Sequence, residues 1–145
     1  MLVLSSKVRY ATRILVFLTG MPAGQSVSAK KISEAEDISF EYVEQILIRL
    51  KAAKFVKSTR GPLGGFVLSA DPKNITVADI ISTLEGGISI IPCASESCSR
   101  DMNCRVKHLW HRANDALKEI FSNTTLHDLT YRMDKTANEV LNFEI

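Results

Sequence analysis

The chain is 145 residues long, 46% hydrophobic and 23% charged, with a formal net charge of +2 at pH 7. That length holds one ordinary domain with a sizeable core, extended at most by further helix. Met1-Leu-Val-Leu carries neither a charged leader nor a cleavage site, and the apolar run from Ile14 to Leu18 is only five residues long. A bilayer-spanning helix needs roughly 20, so a soluble cytoplasmic protein with no membrane partner is expected.

Charge is unevenly placed along the chain. Residues 1–70 hold ten Lys/Arg against five Asp/Glu, whereas residues 71–145 hold eight against eleven. A basic first half suits a face turned to a polyanion, beside an acidic half with another task.

Ser5 or Ser6 caps a first predicted helix in which Val8, Ala11, Leu15 and Leu18 recur at helical spacing, until Gly20-Met-Pro-Ala-Gly24 breaks it. Ser28 opens a short helix, Ala29 to about Glu36, with Ile32 and Ala35 inward. Asp37-Ile38-Ser39 makes a tight turn, and Ser39 caps a third helix that runs to about Ala53. In it Val43, Ile46, Leu47 and Leu50 stand at i, i+3, i+4 and i+7, one buried stripe. The opposite face carries Glu41, Tyr42, Gln45 and Arg49, with Glu44 at its flank. A short helix, a short turn and a longer polar-faced helix form the helix-turn-helix pattern, whose second helix enters the major groove.

Two β-like runs follow, Phe55 to Arg60 and Phe66 to Ser69, joined by Gly61-Pro-Leu-Gly-Gly65. A hairpin in that place is a wing. The glycines, Gly64 and Gly65 among them, let backbone approach a sugar–phosphate wall. Lys57 and Arg60 at its base read phosphate or minor-groove potential. On the third helix Ser39, Tyr42, Gln45 and Arg49 reach phosphate or base edges. Gln45 suits adenine, and Arg49 suits guanine or phosphate. Glu44 either accepts from cytosine or repels a wrong phosphate.

Thr76-Val-Ala-Asp79 begins a fourth helix with Val77, Ile80, Ile81 and Leu84 on one side, ended by Gly86-Gly87. A long helix from about Arg105 to Ser122 then carries Val106, Leu109, Trp110, Ala113, Leu117, Ile120 and Phe121 on one face. Trp110 reads as a packing anchor. The stripe fits either intrachain core or a dimer seam, and a single-sided helix ending a small domain favours the seam. Thr125-Leu-His-Asp128 caps a last helix with Leu129, Met133, Ala137, Val140 and Leu141. The expected fold is mainly α with a small β wing. It comprises a winged helix-turn-helix domain (residues 1–86), a cysteine loop (87–104), and a dimerisation helix with a C-terminal helix (105–145).

All three cysteines, Cys93, Cys98 and Cys104, fall within twelve residues of polar, turn-rich sequence. An odd number cannot pair wholly into disulfides within one chain, and clustered thiols of this kind are metal ligands or redox groups more often than staples. No nucleophile elbow, phosphate-binding glycine motif or paired-carboxylate site is present, so no enzyme is expected.

Five segments appear in register: Lys7-Val-Arg-Tyr-Ala11, Ile38-Ser-Phe-Glu-Tyr-Val-Glu-Gln45, Arg49-Leu50, Arg60-Gly-Pro-Leu-Gly-Gly-Phe66 and Cys104-Arg-Val-Lys-His-Leu-Trp110. Together, over about residues 1–135, they resemble the bacterial winged-helix regulators that include the iron–sulfur cluster regulator, the nitric-oxide-sensing repressor and the rhizobial iron regulator. The resemblance implies a homodimeric transcription factor on a pseudo-palindromic double-stranded operator, with Cys93, Cys98 and Cys104 holding a [2Fe–2S] or [4Fe–4S] cluster.

Such clusters usually take four soft thiolates, and C-x4-C-x5-C supplies three. In the iron–sulfur cluster regulator a histidine three residues after the last cysteine is a ligand. Here that position is Lys107, and histidine follows at His108. The nitric-oxide sensor's N-terminal acid corresponds to Arg9, which cannot ligate, and the first cysteine gap is one residue shorter than in the best-known relatives. His108, Glu96, His111 and a small molecule therefore stay open as the fourth ligand. The alternatives are a cluster-free thiol-redox or zinc-dependent regulator, or an iron–sulfur carrier or electron-transfer module.

Overall fold

The computed structural model describes residues 4–91 and 103–131. Cys93, Glu96, Cys98, Met133, Ala137, Val140 and Leu141 lie outside the described residues, and so do the expectations placed on them.

The element order is α1 (Ser6–Thr19), α2 (Ala29–Glu36), α3 (Phe40–Ala52), β1 (Val56–Thr59), β2 (Gly65–Leu68), a 3-10 turn (Pro72–Asn74), α4 (Val77–Glu85) and α5 (Lys107–Ser122). Residues 126–131 are again helical. This is the mainly helical fold with a small antiparallel wing that the sequence pattern predicts. Among the described residues no helix is long and apolar enough to cross a membrane.

The helices α1, α2 and α4 start where their capping chemistry places them. Ser5 accepts from the Val8 amide at α1, and Ser28 from Lys31 at α2. Thr76 and Asp79 form a reciprocal capping box at α4, and Thr125 and Asp128 repeat it before residues 126–131. Gly86, at φ 81°, supplies the left-handed residue that ends α4. Ser39 differs: it holds the N-cap position of α3, yet its hydroxyl makes no capping bond. Entry into α3 is set instead by Asp37, left-handed at φ 52°, and by the Ser33 hydroxyl, which donates to the Ile38 carbonyl at 2.6 Å.

One core unites these elements. Val8, Ile14 and Leu15 of α1, Ile32 of α2, Val43, Ile46, Leu47 and Leu50 of α3, and Ile80 and Ile81 of α4 are all buried, with Val27, Val56, Ile75 and Leu126 among them. Ala35, expected inward, is exposed. The left-handed turn at Asp37 folds Ile38 back into the core, and the two-turn helix α2 needs only Ile32 besides. Leu126 enters the core because its amide donates to the Ile75 carbonyl while the Val77 amide donates to Thr124, stitching the chain beyond α5 onto the start of α4.

The wing pairs Val56 with Leu68, Lys57 with Val67, Ser58 with Phe66 and Thr59 with Gly65. A third segment joins it: Val27 exchanges both backbone hydrogen bonds with Phe66, at 2.9 and 2.8 Å. The chain ahead of α2 thereby lies directly against Gly65, where an added Cβ would stand 2.4 Å from the Val27 carbonyl oxygen. Backbone cannot yield as a side chain end can, so overpacking here carries the usual penalty. Gly65→Ala is expected to lower the unfolding free energy by about 2 kcal/mol, measured by urea denaturation. A midpoint equal to that of the parent would show that the wing does not close on Val27 as described.

Candidate nucleic-acid interface and the cysteine arm

The α3 stripe fixes the roll of that helix. With the Val43, Ile46, Leu47 and Leu50 side chains buried, each by about 2 kcal/mol of apolar transfer, the 100° step per residue turns the opposite side outward. Glu41, Glu44, Gln45, Ile48 and Arg49 are exposed there.

Tyr42 is only half-buried, and its ring meets the Tyr10 ring edge-on at 5.7 Å and 86°. The guanidinium groups of Arg9 and Arg13 lie 5.8 and 5.6 Å from the Tyr10 centroid. Arg13 also donates from Nε to Glu36 Oε2 at 2.9 Å and from its terminal nitrogen to the Glu36 carbonyl at the end of α2. One aromatic and ionic brace thus holds α1, α2 and α3 in fixed relation. The Tyr42 ring belongs to this brace as well as to the edge of the exposed face.

Beside Tyr42, the side chains of Lys7, Gln45, Ile46 and Arg49 line a small cleft of about 40 Å³ between α1 and α3. Two cations and an amide around one recess make a seat for an anionic oxygen. Lys51, at the far end of α3, donates to the Ser58 hydroxyl on β1 at 2.7 Å, tying helix to wing. Lys57 and Arg60 are exposed on the wing. Its tip is closed by the Gly64 amide on the Gly61 carbonyl at 2.9 Å and braced by the Ser26 hydroxyl on the Leu63 carbonyl at 2.9 Å. Gly64 and Gly65, predicted to admit a nucleic-acid backbone, have an intrachain reason to be glycine: a Cβ on Gly64 would lie 2.6 Å from the Thr59 carbonyl.

Later in the chain, packed on α4, α5 exposes most of its apolar stripe. Val106, Leu109, Trp110 and Ile120 are 51, 59, 41 and 58% exposed. Among the described residues most of the stripe is therefore open, Trp110 included, while Phe121 packs against the core. The buried residue of α5 is Asn114, whose Oδ1 accepts the Ile90 amide at 3.1 Å. Ile90 stands three residues before Cys93 and Cys104 three residues before α5, so both ends of the cysteine segment attach to one helix. Beside Ile90, the side chains of Leu4, Arg9, Ile81, Glu85, Leu117 and Phe121 line a cavity of about 600 Å³.

Cys104 carries a free, half-buried thiol, and its carbonyl accepts the Lys107 amide. His108 is exposed in the first turn of α5, and His111 is half-buried. Among the described residues no three His, Cys, Asp or Glu side chains converge to hold a metal. A donor set around Cys104 accordingly depends on Cys93 and Cys98. The free thiol suits a soft metal centre, and three thiolates fit an iron–sulfur cluster short of one ligand.

With the wing, the outward face of α3 and the exposed α5 in place, comparison with known proteins is decisive. A family model, Rrf2, described as an iron-dependent transcriptional regulator, matches residues 4–132. The chain belongs to the Rrf2 family. The HTH-type transcriptional regulator CymR of Bacillus subtilis is 37% identical over 131 residues, covering 90% of this chain and 91% of that protein. The solved structure of CymR, the global cysteine regulator of B. subtilis, matches with a TM-score of 0.80 at 38% identity, over 91% of this chain and 98% of that one. The structure of T. potens IscR matches with a TM-score of 0.78 at 30% identity, over 93% and 90% of the two chains.

The winged-helix architecture expected from the sequence is thus that of solved Rrf2 regulators, and the chain is a transcriptional regulator. Within its Rrf2 fold, Gln45, Arg49, Glu44 and Tyr42 gather on or beside one face of α3, with Ser39 at its entry, while Lys57 and Arg60 stand on the adjoining wing. Sequence reading missed Lys7, which only the crossing of α1 and α3 brings beside Arg49. It missed Ile48 too, although an apolar residue out of phase with the buried stripe is a visible signal. Asn114 gave none, since nothing marks one polar residue on a polar flank as the one that is buried.

Proposed function

We propose that this Rrf2 chain is a homodimeric, sequence-specific DNA-binding regulator whose operator affinity answers to the chemistry of its cysteine segment. It rests on one observation: a polar helix face of fixed roll stands beside a braced, basic wing. In that reading Gln45, Arg49, Glu44, Tyr42 and Ser39 face base edges and phosphates, with Lys7 on a phosphate, and Lys57, Arg60 and the Gly64–Gly65 backbone lie along the minor groove. Neutralised phosphates make binding steeply salt-dependent. For Arg60→Ala the slope of log affinity against log salt should fall by about one per protomer, measured by fluorescence anisotropy. An unchanged slope would remove Arg60 from the phosphate contacts.

The exposed stripe of α5 supports the dimer. Leu109, Trp110 and Ile120 on α5, with Val106 just before it, are left open and form the seam of a second copy, and a two-fold seam spaces two recognition helices for half-sites about 34–36 Å apart. Leu109→Lys should convert a dimer into a monomer by light scattering behind a sizing column. A variant that keeps the parent mass would place the seam elsewhere.

Cys93, Cys98 and Cys104 are the residues to hold a [2Fe–2S] or [4Fe–4S] cluster, with the fourth position open to His108, His111, Glu96 or a small molecule. When bound, such a cluster supplies a centre that reacts with oxidants and nitric oxide and tracks iron supply. The protein's own part is mechanical. Asn114 holds Ile90 and the α5 start holds Cys104, so any rearrangement between them pulls on the helix that spaces the recognition helices.

A second reading, cluster-free switching by cysteine oxidation, is favoured by the similarity to Staphylococcus aureus CymR, solved in an oxidized form, at a TM-score of 0.72 and 32% identity. Anaerobic purification from iron-replete cells separates the two. Matched iron and sulfide with visible charge-transfer bands, lost in Cys98→Ala together with the operator response, are expected of the cluster. A colourless protein after reconstitution that still responds to oxidants would establish the thiol switch.

A further inference from the structure

Ile48 is 68% exposed, and it is the large apolar side chain left in solvent at the middle of α3. On the 100° step it lies opposite Val43, Ile46, Leu47 and Leu50, ringed by Glu41, Glu44, Gln45 and Arg49. Other exposed large apolar side chains have a different setting: Leu109, Trp110 and Ile120 lie on α5 with Val106 just before it, Leu63 stands at the wing tip, and Phe40 opens α3 two turns before Ile48. On its own face Ile48 is set among charged and amide side chains, with only the small Ala52 as an apolar neighbour one turn on.

A second protein surface is a poor occupant for this position. It would desolvate the Glu41 and Glu44 carboxylates and the Arg49 guanidinium in exchange for one buried isoleucine, and charge is depleted at the centre of protein interfaces. The major groove of DNA is a better one. Its edges meet amides and guanidinium groups with hydrogen bonds, and they carry a single apolar group, the 5-methyl of thymine.

We propose that Ile48 reads thymine methyl groups in each half-site, next to the adenine contact of Gln45 one turn earlier. Together they make this stretch of α3 a reader of A·T pairs. This deepens the DNA-binding reading and rests on it. The remaining neighbours fit: Glu44 repels any phosphate that a slipped register would bring to the same place, and the Lys51 bond to Ser58 keeps the helix at one depth relative to the wing.

The test uses the full chain and a duplex selected by the wild-type protein from a random pool, with each thymine replaced in turn by deoxyuridine to delete only its methyl. Wild-type binding should weaken about fourfold per half-site at a defined thymine, the worth of one buried methyl. Ile48→Ala should lose a similar factor on the parent duplex and be insensitive to deoxyuridine at that position, while Ile48→Val keeps most of the sensitivity. Circular dichroism and the thermal midpoint of Ile48→Ala should match the parent, because the side chain is outside the core. Selective, salt-dependent binding without any methyl-sensitive position, or equal methyl sensitivity in Ile48→Ala, overturns the role of Ile48 alone. Absence of any selected sequence overturns the DNA-binding reading with it.

Discussion

Burial of the α3 stripe is the constraint on which the rest of the molecule depends. Val43, Ile46, Leu47 and Leu50 pack toward α1, α2, α4 and β1 at once, and none has solvent access above 1%. A helix clamped on several sides has no freedom of roll, so the identity of its outward residues follows without further interaction. This matters for the proposed reading of base edges, because base hydrogen bonds tolerate little rotational error and a roll of one residue step would replace Gln45 by its neighbours.

Around that clamp, polar contacts hold the accessory parts in place more than they stabilise. The Arg13–Glu36 pair is partly exposed, so its energetic worth is small. Its geometric worth is larger, because the same arginine stacks on Tyr10, and Tyr10 meets Tyr42 on α3. Likewise, Lys51 on Ser58 and Ser26 on Leu63 do little for the core but fix where the wing stands. The wing is thus a three-segment structure closed on Val27, and Gly65 is the place where the segments come closest.

The second half of the chain is organised by α5. One edge returns the chain to the core through Leu126, its apolar face stays open, and its buried polar residue takes hold of the segment leading to the cysteines. In the proposed regulator, a helix that touches the core, an open apolar face and the segment leading to the cysteines at once would convert local chemistry into a change of spacing.

Much of this was legible without coordinates, because short-range rules decide it. Helical periodicity located α1, α3 and α4, capping residues located most helix starts, and the Gly-Pro-rich turn located the wing. The one-sided apolar pattern of α5 marked the face that the fold leaves open. The rules failed where a longer-range partner competes. Ser39 occupies a cap position without capping, since the Asp37 turn and the Ser33–Ile38 bond set the entry to α3. Ala35 yielded its core place to Ile38 for the same reason. By itself, then, the sequence determined the order of elements and most of the buried and open faces of its helices, all consequences of local spacing and composition. Only the tertiary structure decided that Val27 completes the wing, that Lys7 joins Arg49 across two helices, and that Asn114 holds Ile90. Each of these joins residues distant in the chain, and which of many polar partners meet is settled by the packing of the core between them.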